Sequence, residues 1–448
     1  MKKIFQYIDD HRDEYLSLLK EFCAQPSIST THTGIEEMVR MVSETMRSVN
    51  VEPEIIPTAG NPMLYGELKG TGKRVLGFYN HYDVQPPEPL DEWKSDPFKP
   101  EIRDGKMYAR GVSDNKGSLL ARICAVDAWQ KVYGQLPLNL RFVYEGEEEV
   151  GSPHLAWFAE TYPEKIKTDG FIWEGGERYI DGPLQISLGV KGMCYLELRV
   201  RTAAMDAHSK HAAIIPNPAW RLVHALSTMK DRNDKILIEN FYDKMDKVTG
   251  QDREYLRNLY YNEESIKNRM QIGSFINNLT GIDLLEKLLY EPTCNIAGIH
   301  SGYTGQGSKT VLPCTASVKM DIRLIPQQDP EEIAELVRKH LRKHGFEDIE
   351  VVQLSGMHPF RTNPDNPLAQ TAFACAEEVY GIKPAIYRNA PGTTAMYRFC
   401  HKQNLPVLMF GVSNEASQNH APNENIYVED YFQGIKMITA VLKKFAGF

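Results

Sequence analysis

A histidine and an aspartate stand two residues apart at the end of a predicted strand. His81 and Asp83 follow the short apolar run 74–79. Ligands of open α/β sheets bind at the carboxyl ends of strands, so both side chains would lie at a binding edge. One of the two can bind a metal while the other accepts a hydrogen bond from the second ring nitrogen and orients it. On these two residues alone, an ordinary surface turn stays an open alternative.

Carboxylates follow two further predicted strands. Residues 145–149 hold four glutamates after the strand predicted at 138–144, among them Glu148 and Glu149. Carboxylates this close repel one another unless a cation or solvent compensates them. Glu174 follows a third predicted strand and precedes two glycines, which allow close backbone approach. A charge run is usually a solvated loop, but its place at the end of a buried strand favours a site.

Two more residues complete a set of metal ligands. Asp114 precedes a helix predicted at 116–129, and capping that helix is its alternative role. His420 lies in a polar loop after the strand predicted at 406–410. Two imidazoles and three carboxylates suit two divalent ions that share one bridging carboxylate; the imidazoles favour zinc, with manganese or cobalt as alternatives. The five candidate ligands are His81, Asp114, Glu149, Glu174 and His420.

The elements that must position these residues alternate between strands and helices. That alternation predicts an α/β fold with a largely parallel sheet. The pattern changes near residue 188, because residues 192–201 and 316–324 alternate apolar and polar side chains, as strands of an antiparallel sheet do. We therefore expect a discontinuous first domain, residues 1–187 and 359–448, with an inserted α+β domain at 188–358.

Composition and charge exclude several classes of protein. The chain has 448 residues, 42% of them hydrophobic and 25% charged, with a formal net charge of −8, which argues against a nucleic-acid partner. No apolar run approaches the ~20 residues needed to span a bilayer, and no signal-peptide stretch follows the N-terminal lysines. Seven widely spaced cysteines without a Cys-x-x-Cys motif favour free thiols in a reducing compartment. We expect a cytoplasmic protein without a membrane partner.

Five motifs, taken together, resemble a known family. They occur in the family's order, and the resemblance extends from about residue 10 to the C-terminus. The family is that of the co-catalytic, di-zinc metallopeptidases, which includes carnosinase-like and cytosolic non-specific dipeptidases, aminoacylase, acetylornithine deacetylase, succinyl-diaminopimelate desuccinylase and glutamate carboxypeptidase. The motifs are HYDVQP at 81–86, WKSDPF at 93–98, YARGVSDNKG at 108–117, EEVGS at 148–152 and NHAPNE at 419–424.

The resemblance assigns the ligands to two metal sites. It implies that Asp114 bridges two ions, that His81 and Glu174 complete one site, and that Glu149 and His420 complete the other. A hydroxide between the two ions would attack the scissile amide bond.

The same resemblance assigns roles next to the ligands. Glu148 is implied as the general base and Asp83 as the partner that orients the first imidazole. The family usually has a cis peptide after the bridging aspartate, which here is the bond between Asp114 and Asn115.

The resemblance also implies the fold and the substrate contacts. It predicts a three-layer zinc-peptidase catalytic domain and a ferredoxin-like lid that often forms a homodimer. His208 in the lid would stabilise the oxyanion, in its own or a partner subunit's site. Arg323 and the loop residues Gly392, Thr393 and Thr394 match positions that bind the carboxylate end of the substrate.

Two positions depart from the family pattern. Lys210 stands where the family commonly has glycine, and Glu174 stands where the dipeptidase branch more often has aspartate and the deacylase branches glutamate. The resulting hypothesis is a metal-dependent hydrolase of dipeptides or short peptides with a free C-terminal carboxylate. The alternatives are an N-acyl amino acid deacylase or desuccinylase with the same site, and a non-catalytic binding protein that retains the fold.

Overall fold

The computed structural model describes residues 1–447. None of the helices in this range combines the length and apolar character that a bilayer crossing requires. In chain order, the α-helices are α1 (Lys2–Asp10), α2 (Arg12–Ala24), α3 (Ile35–Ser48), α4 (Gly117–Tyr133), α5 (Leu155–Thr161), α6 (Pro218–Met229), α7 (Gly250–Arg257), α8 (Glu263–Met270), α9 (Gly281–Tyr290), α10 (Pro330–Lys343), α11 (Pro367–Tyr380), α12 (Met396–Cys400) and α13 (Val428–Phe445).

The strands fall into two main sheets and several short pairings. In chain order, they are β1 (Glu54–Ile56), β2 (Met63–Leu68), β3 (Val75–His81), β4 (Glu101–Arg103), β5 (Lys106–Tyr108), β6 (Asn139–Glu145), β7 (Gly170–Trp173), β8 (Glu177–Arg178), β9 (Gln185–Ser187), β10 (Gly189–Val190), β11 (Gly192–Arg201), β12 (Ala207–His208), β13 (Asn295–Ser301), β14 (Val311–Leu312), β15 (Thr315–Leu324), β16 (Glu350–Met357), β17 (Phe360–Arg361), β18 (Ala385–Tyr387), β19 (Val407–Met409), β20 (Ser413–Asn414) and β21 (Asn425–Tyr427).

The larger sheet has eight strands in the order β1-β2-β6-β3-β7-β19-β9-β18. Its central neighbours β6, β3, β7 and β19 run parallel to one another, whereas β1 and β2 join antiparallel at one edge. Strands β3, β6 and β7 are buried on both faces, which explains why they are nearly continuous apolar runs. The predicted α/β fold with a mostly parallel sheet is confirmed.

Helices cover both faces of this sheet, which gives three layers. On one face, Phe78, Phe142 and Ile172 share a core with residues of α4, α11 and α13. On the other face, Phe171 and Trp173 pack with residues of α5 and α12. Successive side chains of a strand point to opposite faces, so neighbouring residues of β7 contribute to different cores.

The smaller sheet has the order β13-β15-β11-β16, and each neighbouring pair is antiparallel. Buried and less buried residues alternate along β11, as its sequence predicts. Helices α6 and α10 share one core with this sheet. The chain order strand–helix–strand–strand–helix–strand in this arrangement is the predicted ferredoxin-like topology.

The segment between β11 and β13 contacts both sheets. Leu256 of α7 and Leu289 of α9 pack in one cluster with Tyr179 and Ala385, which belong to the larger sheet and its loops. Helices α7 and α9 of the predicted insertion thus pack against the edge strand β18. The domain boundaries at residues 187–188 and 358–359 stay a prediction.

Candidate metal centre

The predicted ligands lie along one edge of the larger sheet. His81 is the last residue of β3, and Glu148 and Glu149 form a short helical turn just after β6. Glu174 directly follows β7, the neighbour of β3 on the other side. Because these strands are parallel, their carboxyl ends meet at the same edge, which is where α/β sheets bind ligands.

Both predicted imidazoles contact one carboxylate. His81 Nε2 lies 2.9 Å from Asp114 Oδ1, and His420 Nε2 lies 3.2 Å from Asp114 Oδ2. His420 Nε2 is also 3.1 Å from Glu149 Oε2. Ligand atoms of His81, Asp114 and Glu149 all lie within 4.8 Å of one another. Asp114 therefore presents a different oxygen to each imidazole, which is the geometry of a bridging carboxylate.

The alternative role of Asp114, capping the helix after it, is wrong. Helix α4 begins at Gly117, follows Lys116 and has no side-chain cap. Asp114 has φ −124° and ψ 88°, outside the helical region, and the peptide bond between Asp114 and Asn115 is cis. The Asp114 carboxylate contacts the two imidazoles instead of the helix.

Asp83 orients the ring of His81 through its Nδ1 atom, on the side away from Asp114. His81 Nδ1 lies 3.0 Å from the backbone oxygen of Asp83 and 3.3 Å from its Oδ1, and both side chains have 0% exposure. The carboxylate of Asp83 in turn accepts hydrogen bonds from the backbone N–H groups of Glu148 and Glu149, at 3.3 and 3.1 Å. Asp83 thus links the strand end to the carboxylate turn, and leaves His81 Nε2 facing the site.

The buried carboxylates make the site suited to a cation. Burial raises the pKa of Glu148 well above its ordinary value; His81 opposes this shift, and Glu174 and Asp114 add to it. Burial also raises the pKa of Glu174 to about 7. Like charges out of water are costly unless paired or bound to a metal. Imidazole nitrogens and carboxylate oxygens are ligands for zinc and related divalent ions, so the residues present fit such an ion.

A buried ion pair holds the loop that carries Asp114. The carboxylate of Glu424 accepts hydrogen bonds from Arg110 Nη1 at 2.7 Å and from the backbone N–H groups of Gly111, Ser113 and Asp114 at 2.9 Å each. The side chains of Arg110 and Glu424 are both 1% exposed. Because Glu424 also belongs to the loop of the second imidazole, one carboxylate joins the loops of two predicted ligands. Glu424 belongs to the NHAPNE motif of the sequence analysis, but the motif did not predict that Glu424 joins the two loops.

Replacing Glu424 with glutamine should weaken metal binding by about 10–100-fold, the usual cost of losing a partner that orients ligands. The amide would turn an N–H group toward the backbone donors of the loop. Metal titration against a competing chelator measures the change, and Glu429→Gln serves as control because that side chain is 55% exposed on α13. Unchanged affinity in a folded Glu424→Gln protein would contradict the anchoring role.

A second buried cation, Arg122, ties the strand ends beneath the site. Its guanidinium donates to the backbone oxygens of Tyr79 at 2.5 Å, Ile172 at 3.2 Å and Trp173 at 2.5 Å. These residues come shortly before two predicted ligands at the ends of β3 and β7. Sequence reasoning missed Arg122, although an arginine inside the apolar run 119–126 of α4 is a usable signal.

Of the residues predicted to contact the substrate, Arg323 and Thr393 lie together, whereas His208 makes no hydrogen bond with the predicted ligands in the described part of the chain. Arg323 Nη1 donates to Thr393 Oγ1 at 2.8 Å, so strand β15 of the smaller sheet meets the loop after β18. Gly392 precedes Thr393 in that loop, and Thr394 Oγ1 accepts from a backbone N–H group at 3.3 Å. His208 lies on β12 with an exposed side chain, and across residues 1–447 it has no hydrogen bond or ion pair with the predicted ligands. Its Nδ1 accepts instead from the backbone N–H group of Lys210 at 3.1 Å.

A three-layer α/β fold whose sheet edge gathers two imidazoles and several buried carboxylates defines a metal-dependent hydrolase. Comparison with known families gives the particular group: the chain belongs to peptidase family M20/M25/M40, whose model matches residues 77–444. This confirms the predicted resemblance and makes the protein a peptide hydrolase. The individual residue roles, the identity of the metal and the number of ions stay predictions.

Known relatives match over nearly their whole length. Beta-Ala-His dipeptidase of Mus musculus is 28% identical over 465 residues, which cover 98% of this chain and 94% of that protein. The Cys-Gly metallodipeptidase dug1 of Schizosaccharomyces pombe is 27% identical, over 100% of this chain and 98% of that protein. The crystal structure of the M20 family metallo-carboxypeptidase Sso-CP2 from Sulfolobus solfataricus superposes with a TM-score of 0.88, at 37% identity, over 97% of this chain and 100% of that chain.

Proposed function

We propose that the protein is a metal-dependent dipeptidase for dipeptides or short peptides with a free C-terminal carboxylate. The observation that carries this proposal is the pair of imidazoles on opposite oxygens of Asp114, with the half-buried Glu148 in the turn after β6. The names of the mouse and fission-yeast relatives, both dipeptidases, favour the same substrate class.

Two divalent ions, zinc in the first place and manganese or cobalt as alternatives, would be held by the five candidate ligands. When bound, such ions polarise a carbonyl group and lower the pKa of water toward neutrality. The division of the donors supports two ions, because His81 lies at one oxygen of Asp114 while His420 and Glu149 lie at the other.

The chain's own residues would orient the substrate and move the proton. Glu148 takes a proton from the attacking water and returns it to the leaving amine, a role that its raised pKa suits. Asp83 keeps the imidazole of His81 aligned. Arg323 and Thr393 would bind the terminal carboxylate, since the guanidinium already lies at hydrogen-bond distance from the hydroxyl.

A substrate panel on demetallated protein tests the proposal. Dipeptides, N-acetyl amino acids and N-succinyl amino acids would each be assayed after addition of zinc, manganese or cobalt. The proposal predicts metal-dependent release of free amino acids from dipeptides. Faster hydrolysis of the acylated amino acids would instead assign the protein to the deacylases, and no metal-dependent turnover would leave only a binding role.

The proposal extends to a cytoplasmic homodimer that pairs through the lid. Strand β13 is an edge strand exposed along nearly its whole length, with Ile296 and Ile299 44% and 57% exposed. An apolar edge of this kind favours pairing with a second copy. The seven cysteines are free thiols, which favours a reducing compartment. Light scattering of the purified protein would measure the mass, and a monomer would contradict the dimer.

Replacing His208 with alanine should lower kcat by about 10²–10³-fold and change KM much less. The reason is that an oxyanion donor acts on charge that develops only in the transition state. Steady-state kinetics on the best dipeptide measure this, with His224→Ala as control because His224 is an exposed histidine of α6. An unchanged kcat would remove His208 from this role.

A further inference from the structure

A cavity of about 970 Å³ lies next to the loops that carry the predicted ligands. Tyr179, Tyr387 and Met409 form the wall on the side of the larger sheet. Tyr260 and Met270, from the helical segment between β11 and β13, form the facing wall. Its volume is at the upper end of the range of roughly 300–1,000 Å³ typical of small-molecule sites.

Three loops connect this cavity to the candidate site. Each contributes to the cavity wall a residue that lies two positions along the chain from a predicted site residue. The pairs are Gly176 with Glu174, Pro391 with Thr393, and Gln418 with His420. Two residues of extended chain span at most about 7 Å. A side chain next to a scissile bond at the metal centre can therefore reach the cavity.

Aromatic and apolar side chains form much of the cavity wall, together with polar residues. Tyr179 and Tyr387 share a hydrogen bond between their hydroxyl groups at 2.5 Å, and the ring centroids of Tyr179 and Tyr260 are 5.6 Å apart. Tyr260 and Met270 remain 53% and 59% exposed although both line the cavity. Apolar surface that a fold leaves uncovered in a concave site is a mark of ligand binding.

The charged residues of the cavity do not select for one charge. Glu177 and Glu415 line it together with Arg269, so both signs are present. The size of the cavity and its apolar residues would therefore determine which ligand binds. We propose that this cavity binds a bulky apolar or aromatic side chain adjacent to the scissile bond of the substrate. The inference rests on the proposed peptide hydrolysis and adds the class of substrate.

Two dipeptide series test this inference on the metal-loaded enzyme. Ala-Gly, Leu-Gly and Phe-Gly vary the amino-terminal residue, and Gly-Ala, Gly-Leu and Gly-Phe vary the carboxyl-terminal one. We expect kcat/KM to rise at least about tenfold from alanine to phenylalanine in one of the series. Tyr260→Ala should reduce that Phe/Ala ratio by about tenfold. Tyr133→Ala should preserve the ratio, because that ring, 45% exposed at the end of α4, does not line the cavity.

The outcomes separate this inference from the proposed function. Equal kcat/KM values across both series would overturn the side-chain site and leave peptide hydrolysis standing. A Phe/Ala ratio that survives in Tyr260→Ala would also overturn the site, since the preference would then arise elsewhere. Failure to hydrolyse any dipeptide in the presence of metal would overturn both proposals.

Discussion

Replacing Glu148 with glutamine should lower turnover of the best dipeptide by about 10²–10⁴-fold, the usual contribution of a general base. Glutamine keeps the shape of the side chain but cannot accept the proton of the attacking water. Glu148 belongs to neither set of predicted ligands, so the metal content should stay unchanged. Steady-state kinetics together with elemental analysis of the purified variant measure both quantities.

The adjacent glutamate provides the control for this variant. Glu147 lies in the same turn and pairs with His154 at 2.5 Å instead of facing the predicted ligands. Glu147→Gln should keep most of the activity, which would show that the turn tolerates an amide. Near-normal turnover of Glu148→Gln would refute its assignment as the base, and loss of metal would make Glu148 a ligand.

Replacing Asp114 with asparagine should abolish both metal binding and hydrolysis. Both imidazoles contact the Asp114 carboxylate, so its loss removes negative charge from both halves of the site. We expect metal affinity to fall by more than the 10–100-fold typical of residues that only orient ligands. Calorimetric titration with zinc on the demetallated protein measures the affinity.

An aspartate in an exposed turn serves as the matched control. Asp104 lies between β4 and β5 with a positive φ of 49°, a conformation that asparagine adopts readily. Asp104→Asn should bind zinc with unchanged affinity. If Asp114→Asn bound metal as tightly as Asp104→Asn, the bridging role would be excluded.

Local sequence patterns predict much of the fold, because the periodicity of apolar residues within a segment indicates whether it forms a helix or a strand. The period-two alternation predicted for residues 192–201 appears in the structure as strand β11. The end of a strand differs from its prediction: β3 ends two residues beyond the predicted 74–79 and includes His81. Sequence periodicity does not mark where ladder hydrogen bonds stop.

The contacts that hold the candidate site together were beyond sequence reasoning. Arg110 and Glu424 are 314 positions apart, and Arg323 and Thr393 are 70 apart, yet each pair is joined by a hydrogen bond. Such pairs form only when the sheet is assembled, and a buried arginine looks like any other charged residue in a sequence. Motif recognition therefore proposed the candidate ligands but not the residues that hold their loops in place.

A crystal structure of the protein grown with zinc and measured at the zinc absorption edge would test the metal centre most directly. The expected result is two anomalous peaks about 3.5–4 Å apart, one on each side of the Asp114 carboxylate. His81 should lie at one ion and His420 at the other. An empty pocket under zinc, a single ion, or an ion that leaves either imidazole unbound would contradict the proposed two-metal site.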